Sequence, residues 1–234
     1  MRALIFALGL FWPTLLTAQD TDLELVLLAD ASGSIDSREY LLQREGYATA
    51  IVDPEVLAAI ANTAYGSIAV TYVEWAANQV VVADWTRIAD RQDAELFAAR
   101  VLEPPRRAIG RNAIGSALMK GLALMEENDI VGWRRVIDFS GDSVRNYSGP
   151  SIAEARAAVL DAGVTINGLP ILRPGDPGRA QGGLEALFSE RIVGGSHSFV
   201  VTAESRASFA DAIKRKLILE ISGQTPSTRV ARAP

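Results

Sequence analysis

Cysteine is absent from this 234-residue chain, which excludes disulfides, thiolate metal sites, a cysteine nucleophile and a lipidated N-terminal cysteine. The fold must therefore hold by packing. Histidine occurs once, at His197, far in sequence from every serine that could serve as a nucleophile. No Gly-x-Ser-x-Gly, Gly-x-Gly-x-x-Gly, Gly-x-x-x-x-Gly-Lys or His-Glu-x-x-His pattern is present, so the common hydrolase, dinucleotide, nucleotide and zinc-protease signatures are all missing. Basic residues are scattered and the net charge is -5, which leaves no basic stripe for nucleic acid. There is no internal repeat. About half of the residues are apolar, enough for one domain with a substantial core.

The longest apolar run, Ala3 to Leu16, follows Met1-Arg2 and precedes Thr17-Ala18-Gln19-Asp20. This is the charged, apolar and small-residue order of a secretory signal. A bilayer span needs roughly 20 apolar residues, and this run is shorter and holds Pro13. The expectation is export from a bacterial cell with cleavage after Ala18, leaving no stable membrane span. Residues 19–222 then form one domain and residues 223–234, which show no periodicity, a flexible tail.

Leu25 to Asp36 is the most informative stretch: an apolar run that ends in Asp30-Ala-Ser32-Gly33-Ser34-Ile-Asp36. It reads as a buried strand delivering oxygen side chains to a sheet edge. Mg²⁺ takes oxygen ligands in near-octahedral geometry, and a carboxylate with two hydroxyls at alternate positions suits such an ion. Loop capping is the competing use of the same residues. Asp36-Ser-Arg-Glu39 has capping-box spacing and starts a helix, with Tyr40, Leu41, Tyr47, Ile51 and Val56 in register.

Residues 67–75 and 80–85 are β-branched and aromatic, and their short connection predicts an antiparallel hairpin. Further helices are expected at 90–102, from Asn112 through Met125, at 151–162, 183–191 and 205–221. Strands are expected at 134–140, 164–171 and 198–201. The result is a three-layer, doubly wound α/β fold: a mostly parallel six-stranded sheet, one antiparallel edge strand, and helices on both faces. Function in such folds lies beyond the carboxyl ends of the strands. Three loops fall there: those after Asp30, before Ala113, and after Ser140. Glu74, late in an apolar strand, is expected to face solvent or to be satisfied by an arginine. Trp75, Trp85 and Trp133 read as core or edge packing, and His197 as a strand residue.

Asp30-x-Ser32-x-Ser34, a ligand position opening a central helix, and Asp142 after a later strand together resemble the von Willebrand factor A-type domain with its metal-ion-dependent adhesion site. The resemblance covers residues 23–222. Gln43-Arg-Glu-Gly46, Val73-Glu-Trp75, Ala113-Ile-Gly115, Ser140-Gly-Asp142 and Ile166-Asn-Gly-Leu-Pro170 are similar to a bacterial secreted subgroup of uncharacterised function. The resemblance implies a Rossmann-like fold and a site in which Ser32 and Ser34 ligate Mg²⁺ (or Mn²⁺ or Ca²⁺) directly. Asp30 and Asp142 would hold the ion directly or through water.

Asn112 stands where the family usually has Thr, beside Arg111, and Ser143 where it commonly has Gly. An amide oxygen coordinates hard cations but reaches differently from a hydroxyl, and Asn is also a strong helix cap. The implied function is an exported, periplasmic or extracellular binding module whose bound cation takes an acidic residue of a protein partner. A metal-free scaffold and a Mg²⁺-dependent hydrolase are the alternatives.

Overall fold

The apolar run that ends at Asp30 becomes the central strand of the computed structural model, which describes residues 19–103, 105–172, 183–203 and 208–226. This strand, β1 (Gln19–Asp30), lies between β2 (Ile68–Trp75) and β4 (Ile130–Gly141), parallel to both. Leu23, Leu25, Val26, Leu27 and Leu28 are all buried, as expected for a strand covered on both faces. β3 (Gln79–Ile88) adds antiparallel to β2, and β5 (Thr165–Pro170) parallel to β4, giving the order β3-β2-β1-β4-β5.

Side-chain alternation along β1 splits the core in two. Leu23, Leu25 and Leu27 pack with Tyr47, Phe97, Phe209 and Leu217, drawn from α1 (Ser37–Ile51), α3 (Arg91–Leu102) and α7 (Phe209–Ser222). Val26 and Leu28 pack on the other face with Ile114, Leu118, Val159 and Phe188, from α4 (Ile114–Glu126), α5 (Ile152–Asp161) and α6 (Gly183–Arg191).

The doubly wound α/β architecture with one antiparallel edge strand is as expected, but the sheet has five strands rather than six. Residues 198–201 make isolated bridges instead of a ladder: Gly168 with Val200 and, further on, Ile171 with Ala203. Gly168 N donates to Phe199 O at 3.0 Å, and Ala203 N donates to Pro170 O at 3.1 Å. The intervening donor on that edge would be the N–H of residue 170. Proline has none, so the ladder stops.

The first helix also differs, ending at Ile51 with a second, α2 (Pro54–Ala61), behind it. Asp53 accepts from Glu55 N at 2.8 Å and Pro54 opens the new helix, a sharper punctuation than the running apolar register suggested. His197 sits in a turn at φ 57° rather than in a strand. Trp133 is 73% exposed, edge-on to Tyr65 with ring centroids 6.3 Å apart, so it belongs to the surface and not the core. Trp75 stacks on Phe139 at 4.9 Å, in the core as expected.

One buried ionic cluster ties α7 to the sheet. Lys216 is 0% exposed; its Nζ lies 2.7 Å from Asp138 Oδ1 and also bonds Glu220 Oε1. Asn167 Nδ2 donates to Glu220 Oε1 at 3.1 Å, and Tyr47 OH donates to Asp138 Oδ2 at 3.4 Å. Two carboxyls share one ammonium here. Burial, then the Asp138 charge, pushes the Glu220 carboxyl up to about 7, and burial raises Asp138 against the pull of Lys216.

A raised acid pKa means that the folded chain holds its proton where the unfolded chain has lost it. Glu220 therefore contributes stability that is fully present below its ordinary value of 4.5 and is lost as pH rises through about 7. In chelator, thermal unfolding should show the wild type losing stability across this window, on the order of 1 kcal/mol per pH unit. Glu220→Gln should reduce that loss without abolishing it, because the buried Asp30 and Asp138 carboxyls are also raised. An identical pH slope in both chains would show that Glu220 is not the group responsible.

Candidate metal centre

Asp30 ends the central strand, and its carboxylate is 1% exposed. Oδ1 accepts from Ser32 N at 2.8 Å, which turns the chain out of the sheet. Oδ2 accepts from Asp142 N at 3.4 Å, so the loop after β4 closes onto the loop after β1. Ser32 and Ser34 share a hydrogen bond, Oγ to Oγ at 3.1 Å. Four of the five residues singled out from the sequence thus form one connected group. Asn112 approaches through the backbone: Gly33 N donates to Gly110 O at 2.8 Å, two residues before it.

Asn112 does not cap α4. The N-cap is Ala113, without a side-chain hydrogen bond, and Asn112 is 6% exposed with its carbonyl accepting from Tyr147 N at 2.8 Å. The capping alternative for this residue is therefore not used. Asp36, by contrast, caps α1 as expected: it accepts from Arg38 N and Glu39 N, both at 2.8 Å, and Glu39 Oε2 accepts from Asp36 N at 3.1 Å. These bonds occupy amides of the helix terminus that could otherwise face the serine loop.

Donors from elsewhere fix the loop. Gln43 Nε2 donates to Asp30 O at 2.8 Å, and Gln43 Oε1 lies 3.3 Å from Ser140 Oγ. Arg106 has the largest share. Its guanidinium donates to Ile35 O at 3.2 Å, to Ser32 O at 2.9 Å and to Ala31 O. The Tyr40 ring lies between Arg106 and Arg44, whose guanidinium carbons are 5.1 and 4.8 Å from its centroid. Arg44 in turn pairs with buried Glu74 at 2.7 Å, the arginine-satisfied outcome for that carboxylate. Arg106 was not visible as a site residue in the sequence, and Gln43 carried only its place in the Gln-Arg-Glu-Gly motif. Their one common signal is position, on segments that a doubly wound fold brings to the same sheet edge.

Two glycines set the close approaches. A Cβ on Gly141 would lie 3.1 Å from Trp75 and 3.3 Å from Asp30 Oδ2, tight enough to push β4's loop off the carboxylate. At Gly115 it would sit 2.1 Å from Pro150 O, where residues 146–151 lie on the first turn of α4. Arg111, expected as an opposing charge beside Asn112, stacks its guanidinium over Tyr147 at 3.5 Å.

Burial first, and the Asp142 charge second, push Asp30 up to about 7 against the hydrogen bonds from Ser32 and Asp142. The donor set is oxygen only, two carboxylates, two hydroxyls and an amide, which is the chemistry of a hard divalent cation. Among the described residues no group of three or more His, Cys, Asp or Glu gathers to hold a metal. A metal here has to use the serine hydroxyls.

The chain's fold is that of von Willebrand factor A domains. A von Willebrand factor type A protein from Catenulispora acidiphila aligns with a TM-score of 0.58 at 16% identity, over 86% of this chain and 43% of that one. Proximal thread matrix protein 1 from the mussel byssus, solved with a zinc-occupied MIDAS motif, aligns at 0.56 and 16%, over 84% and 46%. The vWF domain of the pilus tip protein Mfa5 from Porphyromonas gingivalis aligns at 0.54 and 11%, over 84% and 94%. The chain spans about half the length of the mussel proteins it resembles. No curated protein matches. A family model described as "Protein of unknown function (DUF1194)" matches residues 20–225, and the chain belongs to that family.

Proposed function

We propose that this protein is an exported binding module that holds a divalent cation at the carboxyl edge of its sheet and uses it to engage an acidic group on a protein partner. The observation that carries this reading is the contact of Asp30 with Asp142 in a pocket of hydroxyls, with Asp30 buried and destabilised as an anion. A cation relieves both the burial cost and the mutual repulsion. Ser32, Ser34 and the Asn112 amide would hold it directly, with Asp30 and Asp142 bound directly or through water. Mg²⁺ fits this set, as do Mn²⁺ and Ca²⁺. With neutral hydroxyls and an amide as the direct ligands and the two carboxylates bound through water, a divalent ion retains attraction for an outside carboxylate.

The neighbours in fold support a binding role: they include pilus adhesins and a byssal matrix protein, one with zinc at its own adhesion motif. Nothing around the centre favours hydrolysis. His197 lines a pocket with Gly132, Trp133, Arg134, Arg135 and Val136, at the end of β4 opposite Asp142. The N-terminal segment, which lies outside the described residues, has the secretory pattern that places the module beyond the cytoplasm.

Thermal unfolding at millimolar Mg²⁺, Mn²⁺ or Ca²⁺ should exceed that in chelator, by about 2.7 kcal/mol once the ion is at about 100 times its dissociation constant. Asp30→Ala and Asp142→Ala should each abolish the difference. Absence of any ion effect in the wild type would leave the metal-free scaffold, and turnover of a phosphoester or peptide that disappears in Asp142→Ala would make the protein a hydrolase.

Arg106→Ala should act one step back from the ion. It strips donors from three carbonyls of the serine loop, at an expected cost of about 2 kcal/mol of stability in chelator. It should also weaken the ion's effect, and Arg106→Lys should restore only part of each. Denaturant melts give the first quantity and ion titrations the second. Ion binding that is unchanged in a destabilised Arg106→Ala chain would separate the arginine from the centre.

A further inference from the structure

Two loops flank the candidate centre, and both are basic. Residues 105–113 hold Arg106, Arg107 and Arg111, and residues 143–151 hold Arg145, with no acidic residue in either, in a chain whose net charge is -5. Arg106 is spent on the backbone of the serine loop. The other three are exposed.

Two of them meet at one side chain. Arg111 lays its guanidinium over the Tyr147 ring at 3.5 Å. Arg145, two residues before Tyr147, reaches the same phenol from its own loop. Tyr147 is itself anchored, its N–H donating to Asn112 O at 2.8 Å, and Arg145 N donates to Ser143 Oγ at 3.1 Å. The pair therefore sits one residue from Asn112 on one loop and three from Asp142 on the other. Stacking occupies the face of a guanidinium and leaves its in-plane N–H fork for an anion, the geometry that takes a carboxylate bidentately.

We infer that Arg111 and Arg145, converging on Tyr147, form a carboxylate cradle beside the metal centre, so that the partner segment presents at least two acidic groups, one to the ion and one to the arginines. This rests on the metal-bridging reading above. It adds that the arginine beside Asn112 recruits the partner instead of repelling the ion, because its charge is held over the tyrosine. It also specifies the partner's chemistry as an acidic peptide segment.

The test uses short capped peptides of Gly with either one Asp or two Asp separated by zero to three Gly, titrated against residues 19–234 in Mg²⁺ and in chelator. In Mg²⁺, at least one two-Asp peptide should bind about tenfold more tightly than the one-Asp peptide, a preference that falls with added salt. Arg111→Ala and Arg145→Ala should remove the preference while keeping the Mg²⁺-dependent thermal shift and the one-Asp affinity. Arg111→Lys, which keeps the charge but not the fork, should recover only part of it. In chelator the two-Asp peptide should retain a weak binding that Arg111→Ala abolishes. The cradle is overturned if no two-Asp peptide outbinds the one-Asp peptide, or if the advantage survives in the double Arg111→Ala, Arg145→Ala chain. Loss of the metal reading shows itself separately, as a wild type without any Mg²⁺-dependent shift.

Discussion

Where β1 leaves the sheet, its backbone loses the ladder before it reaches water. Ala31, Ser32 and Ile35 remain buried, so the carbonyls of Asp30, Ala31, Ser32 and Ile35 all need donors that no strand supplies. Gln43 serves the first and Arg106 those of Ala31 and Ile35, while the Ser32 carbonyl accepts from both Arg106 and Ile35 N. A buried carbonyl left without a partner costs on the order of 1–3 kcal/mol, so these two side chains decide whether the serine loop has one conformation. The dependence runs further back. Arg106 is positioned by Tyr40, Tyr40 lies between two guanidinium groups, and the second of these, Arg44, is held by Glu74 on β2. The loop's geometry is thus set by residues outside the candidate donor set.

Two of the places where the sheet buries acidic groups satisfy them differently. On the α7 face, Asp138 and Glu220 share Lys216, Asn167 and Tyr47, so the charge is compensated within the protein. At the carboxyl edge, Asp30 faces Asp142 with hydroxyls and amides around it. Burying a carboxylate without a counter-charge is expensive, and the fold shows that it can supply a lysine where one is needed. At the edge site the donors to Asp30 are backbone N–H groups of Ser32 and Asp142, and among the described residues no lysine or arginine forms an ion pair with it. A Cβ on Gly141 would crowd Trp75 and Asp30 Oδ2 at 3.1 and 3.3 Å, so the loop's close approach suits glycine.

Much of this was legible in the sequence, for physical reasons that also mark where legibility stops. Strand β1, the hairpin after it and the capping box at Asp36 are local: periodicity and short-range hydrogen bonds specify them. So is the chain order of Asp30, Ser32, Ser34 and Asp142, which the structure brings into contact. What could not be read is long-range. Arg106 is 74 residues from Ser32, and nothing in a run of Pro and Arg announces that one guanidinium will turn inward to three carbonyls. Lys216 is fully buried on α7 because its partner Asp138 comes from the middle of β4, far away in sequence. The expected sixth strand fails for a smaller reason: the missing N–H of Pro170 falls on the outer edge of β5 and interrupts the neighbour's ladder.

Likeness to solved structures at 11–16% identity shows the fold alone and does not specify what the chain binds, because the sheet is common property and the loops are not. In this chain the distinguishing residues are those that depart from the adhesion motif. Asn112 is released from capping α4, which frees its amide for other work, and it is held by Tyr147 through the backbone. Arg111, beside it, would weaken a cation site if its charge lay over the ion, yet it lies over the aromatic ring that also anchors Asn112. The two departures are therefore one arrangement: the tyrosine that positions the altered ligand also holds the arginine that came with it. On the reading proposed above, an edge that keeps its oxygen side chains for a cation and carries a fixed positive charge at its rim suits a carboxylate arriving from outside.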